Sequence, residues 1–282
     1  MKNPLHSQRL SNLLPTFTAL FSACLLLNPA NCLANDDWRV LDPANTLLIE
    51  SSQGRIIIEM RPEMAPKAVE RIKLLTREKI YDGLQFHRVI PKFVAQTGNP
   101  NNKDGGGTAY PNLPPEMMFR LGYGAIENIA SQSSDSASGF LGSVPFQSLA
   151  LSEANKNNQM PLRSWGAHCM GSAGMGRNEA RDSANSELYF MLDATRRLDR
   201  DYTVFGRVVV GNDVLLKLAH GEPPARPDIM KSVRLLADIP ATERPKVSIA
   251  SVAVMKRIIE KTRQERGADF SICDVNIPAK VE

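Results

Sequence analysis

Phe86-His87-Arg88-Val89-Ile90-Pro91-Lys92-Phe93-Val94-Ala95-Gln96 reads as strand, turn and strand, with one arginine set among apolar neighbours. A guanidinium placed there needs polar partners or polar work. Upstream, Tyr81-Asp82-Gly83-Leu84 carries an Asp-Gly turn signal, so Arg88 is expected on a rigid sheet rather than on a mobile loop.

Working outward, Thr46–Glu50 and Arg55–Met60 flank Ser51-Ser52-Gln53-Gly54, a β-hairpin. Pro66 opens a run with Val69, Ile72 and Leu75 at helical spacing, which predicts a helix to about Lys79. Further strands are expected at 84–90, 93–97, 188–193 and 203–210, then a short helix near 212–219 and a closing strand at Val233–Ala237. This order predicts a mainly β domain: a closed antiparallel barrel of about eight strands capped by two helices. The stretch 119–165 is Ser-rich and polar without strong periodicity, and reads as a long inserted loop. In the extension 241–282, Ile249, Val252, Met255 and Ile259 predict a helix packed on the barrel, stopped at Gly267, with a strand at 269–275.

The chain has 282 residues, 43% hydrophobic and 23% charged, enough for one domain with additions. Lys2, His6 and Arg9 precede an apolar stretch over 13–27 and the small-residue site Cys32-Leu33-Ala34, so residues 1–34 read as a cleaved secretory signal. The alternatives are a membrane anchor, for which the apolar run is short, and lipidation at Cys24. Export, and a periplasmic location, are the expectation. Lys2 and Arg9 are two of 34 basic residues against 30 acidic ones, and the rest are interleaved, so no stripe suited to nucleic acid emerges. Cys169 and Cys273 remain after the signal, either as a disulfide in an oxidising compartment or as two small buried residues. His87, His168 and His220 show no ligand spacing, so no metal is expected; His87 is assigned a structural place on the strand face opposite Arg88. Asp104-Gly105-Gly106-Gly107-Thr108 lacks the Lys-Ser/Thr of a phosphate loop and reads as a turn, and Gly171-Ser172-Ala173-Gly174 lacks the setting of a nucleophilic serine.

Three ordered landmarks carry a resemblance: Phe86–Gln96; Met175-Gly176-Arg177 with Ser186-Glu187-Leu188-Tyr189-Phe190; and Leu198-Asp199-Arg200-Asp201-Tyr202-Thr203-Val204-Phe205-Gly206. Together they resemble the cyclophilin family of peptidyl-prolyl cis/trans isomerases over roughly residues 45–240. The resemblance implies the barrel fold, no cofactor and proline-containing polypeptides as partners; no stable membrane insertion is expected once the signal is removed, and a monomer is the expectation. It makes Arg88 and Gln96 catalytic, and Phe93, Val94, Gly176, Glu187, Tyr189, Leu198 and Tyr202 substrate-binding. Departures from the family pattern stand at Glu187, usually glutamine; Tyr189, usually phenylalanine; Tyr202, often histidine; and Arg197, tryptophan in cyclosporin-sensitive members, which implies weak cyclosporin binding. Glu187 reads as a pocket-wall residue whose carboxylate could pair with Arg88, orienting it or holding it away from substrate, and Tyr189 keeps the ring and adds a hydroxyl at the pocket. These departures leave open a second reading, a proline-binding module or chaperone without turnover.

Overall fold

A computed structural model describes residues 37–122, 129–152 and 162–282. The predicted signal over 1–34 and the alternative lipid site at Cys24 lie outside the described residues. Among the described residues, no helix is long and apolar enough to cross a membrane.

The chain runs β1 (Trp38–Val40), β2 (Thr46–Ser51), β3 (Arg55–Met60), α1 (Pro66–Arg77), β4 (Arg88–Ile90), β5 (Val94–Thr97), β6 (Phe119–Leu121), β7 (Ile129–Gln132), β8 (Ser136–Leu141) and β9 (Val144–Leu149). It continues through β10 (Leu162–Gly166), β11 (Ser172–Met175), β12 (Leu188–Met191), β13 (Val204–Val210), α2 (Asn212–Leu215), β14 (Met230–Leu235), β15 (Val247–Ala250), α3 (Val252–Arg266) and β16 (Ala279–Val281). The main sheet has eight strands in the order β14-β2-β3-β13-β11-β12-β5-β4, antiparallel throughout. It is an open half-barrel, which corrects the expected closed barrel. Its two end strands form no ladder with each other. β4 has only three residues, and this edge meets β14's approach through single bridges alone, Gln85 ahead of β4 with Ile229 and Val89 within it with Gly221.

Helix α1 buries Ala68, Val69, Ile72 and Leu75 in a cluster that includes Leu47, Ile58, Phe190 and Phe205 of the main sheet. Ala65 has no side chain able to cap this helix. The Glu116 carboxylate instead accepts from the Lys67 and Ala68 amides at 2.9 and 2.8 Å, where the helix dipole favours an anion.

The expected inserted loop is instead a second sheet, ordered β6-β10-β9-β8-β7. Its strands hide from a periodicity search because β8 is buried along nearly its whole length, so polar residues do not alternate outward. The serines there pair internally, as Ser131 with Ser138 at 2.6 Å. Phe119, Leu121, Val144, Phe146 and Leu162 cluster with Val204 of β13, which seats this sheet on the main one. The β8–β9 turn docks as well: the Ser143 amide donates to Glu59 Oε2 at 2.8 Å and Arg207 donates to the Ser143 carbonyl.

The C-terminal segment adds a three-stranded sheet, β1-β15-β16. Ser251 caps α3 by accepting from the Val254 amide, and Met255 and Ile259 are buried with Ile57, Phe140 and Ile249. The strand expected at 269–275 is replaced by two single 3-10 turns, and the strand falls later, at β16. Cys169 and Cys273 form a disulfide across 104 residues, tying this segment to the loop before β11.

Candidate active site

Register brings the site together. Arg88 on β4 pairs with Gln96 on β5, Gln96 pairs with Tyr189 on β12, and Tyr189 pairs with Gly174 on β11. Directly opposed residues in antiparallel strands share a sheet face, so this row spans four strands on one side. Above it lies a cavity of about 230 Å³. All nine residues assigned from the sequence line it: Arg88, Phe93, Val94, Gln96, Gly176, Glu187, Tyr189, Leu198 and Tyr202.

One half of the cavity is polar. Arg88, with 23% of its side chain exposed, donates from Nε to Glu222 Oε2 at 2.7 Å and from Nη1 to Gln96 Oε1. Its Nη2 makes no hydrogen bond among the described residues. Gln96 in turn donates from Nε2 to Glu187 Oε1 at 2.6 Å. Glu187 therefore reaches Arg88 through Gln96: of the two outcomes left open by the sequence, it helps orient the arginine rather than pairing with it directly. The carboxylates beside the guanidinium are Glu222 and, at 3.7 Å, Asp104. A Cβ on Gly176 would run into the Glu187 side chain, so a glycine there lets this acid lie flat beneath Gln96.

The other half is apolar. Val94, Tyr189 and Met191 are buried, with Phe93, Leu198 and Tyr202 packed on them. The Arg88 guanidinium lies 5.8 Å from the Phe93 ring centre, and the Tyr189 and Tyr202 rings meet edge to face at 6.0 Å. Arg177 covers the outer face of Tyr202 at 4.3 Å and pairs with Asp201. The Tyr189 hydroxyl does not open into the cavity, contrary to expectation. The phenol tip lies against Gly174, where a Cβ would overlap it, and its oxygen is 2.7 Å from His168 Nε2. His168 Nδ1 is 2.9 Å from Asp199 Oδ1, which also accepts from the His168 amide. The arrangement that satisfies all three groups has Nδ1–H donating to Asp199 and Nε2 accepting from Tyr189. Burial, reinforced by nearby Tyr202 and Asp199, holds the Tyr189 phenol well above its usual range, so it remains a donor. Burial also pushes the Asp199 carboxyl up, but hydrogen bonds from His168 and the charge of Arg196 outweigh it and hold the group below its usual range.

Asp104, Gly105, Arg177 and Asn178 line the same cavity; Arg177 stands in the second landmark but was given no role there, and Asp104, Gly105, Asn178 and Glu222 carried no signal for the site. Asp104 sits in the glycine run read as a turn; that turn reaches the site because Gly105 takes φ +75°. His87 is buried as expected, but its Nε2 lies 3.2 Å from Asp104 and 3.9 Å from Glu187, so it faces the site from beneath rather than turning away. These three offer ligand atoms within 4.8 Å of one another. His87 Nδ1, however, has no hydrogen-bond partner among the described residues, and a metal-bound imidazole is ordinarily fixed through that second nitrogen.

The family described as cyclophilin type peptidyl-prolyl cis-trans isomerase/CLD matches residues 46–236. A probable peptidyl-prolyl cis-trans isomerase of Brucella suis biovar 1 (strain 1330) is 32% identical over 191 residues, covering 64% of this chain and 74% of the relative. The peptidyl-prolyl cis-trans isomerase ppi1 of Schizosaccharomyces pombe (strain 972 / ATCC 24843) is 30% identical over 193 residues, covering 66% of this chain and 97% of the relative. The crystal structure of cyclophilin AquaCyp293 from Hirschia baltica superposes with a TM-score of 0.79 at 30% identity, over 87% of this chain and 94% of that one. With the half-barrel, the Arg88–Gln96 row and these matches in agreement, the chain belongs to the cyclophilins and is a peptidyl-prolyl cis-trans isomerase.

Proposed function

We propose that the cavity takes an Xaa-Pro unit of a polypeptide, with the pyrrolidine ring against Phe93, Val94, Tyr189, Leu198 and Tyr202 and the preceding amide beside Arg88. Rotation about a peptide bond is opposed by resonance, a barrier of roughly 18–20 kcal/mol. A donor aimed at the prolyl nitrogen stabilises the twisted amide, in which the nitrogen lone pair is localised, better than either planar form. No bond is made or broken, and neither cofactor nor metal enters. Arg88 suits this because its guanidinium stays charged and presents its donors in a fixed plane.

The observation that carries the reading is the division of labour within that guanidinium. Nε is held by Glu222 and Nη1 by Gln96, while Nη2 makes no hydrogen bond among the described residues and the guanidinium lies 5.8 Å from the centre of the Phe93 ring. Gln96 fixes the plane, and Glu187 fixes Gln96. The test is acceleration of cis/trans isomerisation in a short Xaa-Pro peptide by the wild type beside Arg88→Ala. Strong acceleration lost in the variant supports the mechanism; equal rates overturn it.

The clients on this reading are exported chains folding in an oxidising compartment such as a periplasm, with the enzyme acting as a monomer. Two features support export: the signal-like residues 1–34 and the Cys169–Cys273 disulfide, since disulfides persist outside reducing cytosol. Prolyl isomerisation takes tens to hundreds of seconds uncatalysed, slow enough to delay such folding. Cell fractionation with antibody detection tests the location; a protein found wholly in the cytosol would refute it.

A further inference from the structure

The short turn Arg196–Leu198 serves two cavities at once. Leu198 forms a wall of the active-site cavity, while Arg196, Arg197, Asp199 and Arg200 line a second groove of about 480 Å³. The far wall of that groove comes from the second sheet, through Gln147, Leu149 and Trp165. Arg196 binds the two walls together, donating to Asp199 from Nε at 2.5 Å and to Gln147 from Nη2. The Asp199 charge is thereby engaged by Arg196 and His168.

Arg197 and Arg200 are placed differently. Both are exposed, and neither has a carboxylate partner among the described residues. Each guanidinium is instead spread on an aromatic ring: Arg197 at 5.3 Å from the centre of Phe93, in the active-site cavity, and Arg200 at 5.0 Å from the centre of Trp165, in the groove. Stacking holds an arginine in place while leaving its edge donors for an anion. The facing acid is Asp135, at the exposed rim and already accepting from Ser133. Two uncompensated, pre-positioned cations thus lead away from the proline pocket between the two sheets.

We infer that this groove is an extended substrate subsite for acidic side chains, so that the enzyme favours Xaa-Pro bonds carrying Asp or Glu about two to four residues from the proline, a reach set by the ~3.3 Å advance per extended residue. The inference deepens the isomerase reading and rests on it for the placement of the proline. The occupant is the substrate chain itself because Arg197, in the groove, stacks on Phe93 of the proline pocket and is the chain neighbour of Leu198, which lines that pocket. Charge complementarity selects the acid: an arginine edge matches a carboxylate.

The experiment compares peptides with one Ala-Pro core and three flanking residues, on either side, of Glu, Gln or Lys. Both kcat/KM and equilibrium binding are measured, for the wild type, Arg200→Gln and Arg197→Gln/Arg200→Gln. The ratio is taken within each enzyme, so a general loss of activity cancels. Partly exposed charge pairs of this kind predict a Glu over Gln preference of about fivefold in the wild type on at least one side, reduced in the single variant and absent in the double variant. The preference should also shrink at 1 M salt, where screening is short-ranged. Turnover with equal rates and affinities for all three flanks overturns the acidic subsite and leaves the isomerase reading standing. Absence of turnover with a Glu preference in binding supports the groove and refutes the isomerase mechanism. A Glu preference that survives in the double variant overturns the assignment to Arg197 and Arg200.

Discussion

Arg88 Nε and Glu222 Oε2 lie 2.7 Å apart although 134 residues separate them in the chain. This contact closes the open side of the half-barrel over the active site, from β4 to the loop that precedes β14. The arginine is thus oriented from two directions, by Gln96 on its own sheet and by a carboxylate from outside it.

Arg88→Lys is expected to lose about 100-fold or more in kcat/KM, a typical cost for removing a positioned transition-state donor. A lysine keeps the charge but not the plane. Glu222→Gln keeps a hydrogen-bond acceptor at the same place, so it should cost severalfold only, mainly in kcat. Peptide isomerisation kinetics on folded variants check both, and near-wild-type rates in Arg88→Lys would show that charge rather than geometry governs the step.

Tyr189→Phe should reduce stability more than catalysis. The ring remains on the pocket floor, but His168 Nε2 is left buried without its partner. An orphaned buried polar group costs about 1–3 kcal/mol. Urea denaturation should register that loss, while kcat/KM on a neutral peptide keeps most of its wild-type value. The reverse pattern would place the hydroxyl in the reaction.

Asp199 makes part of the stability acid-sensitive. Its native carboxyl titrates below the unfolded value of about 3.9, so its interactions contribute fully above that pH and are lost as the pH falls through the lowered native pKa. The stability gap between wild type and Asp199→Asn should be constant from about pH 5 to 7 and narrow below about pH 4. Denaturation midpoints measured across that range test it; a gap that widens on acidification contradicts the assignment.

Reduction of the Cys169–Cys273 disulfide, or its replacement by two alanines, should lower stability by about 2–5 kcal/mol, the range for removing a native bridge, with a 100-residue loop near the upper end on chain-entropy grounds. The bridge spans 104 residues. Amide exchange should lose protection first over α3 and β16, the elements the bridge secures, and uniform loss across the main sheet would indicate a single cooperative unit instead.

The cavity was legible because its residues fall on a few paired strands. The landmarks of the resemblance named Arg88, Gln96 and Tyr189, and the register shows why they meet: Arg88 faces Gln96 and Gln96 faces Tyr189. Glu222 and Asp104 were not legible, since loop carboxylates reach the site through backbone turns that leave no periodic trace. The destination of the Tyr189 hydroxyl was hidden for a similar reason: the sequence marks a tyrosine but not the histidine, 21 residues away, that receives it. The second sheet escaped because strands buried on both faces and rich in serine and glycine resemble a solvated loop in composition. Strand counting suggested a barrel, but it cannot reveal that β4 and β14 remain unladdered.

In the small sheet β1-β15-β16, the first and last strands of the described fold flank a common partner. Both run antiparallel to β15, with Trp38 opposite Ala250 and Val281 opposite Val247. Two inter-strand steps and three residues of rise put these ends only about 14 Å apart, within reach of a linker of about five residues. The described fold, residues 37–282, is therefore suited to circular permutation: a chain beginning at Glu243, passing through the linker to Asp37 and ending at Thr242 would keep every strand pairing described above. Its refolding yield would measure how far assembly depends on the order in which the sheets are made.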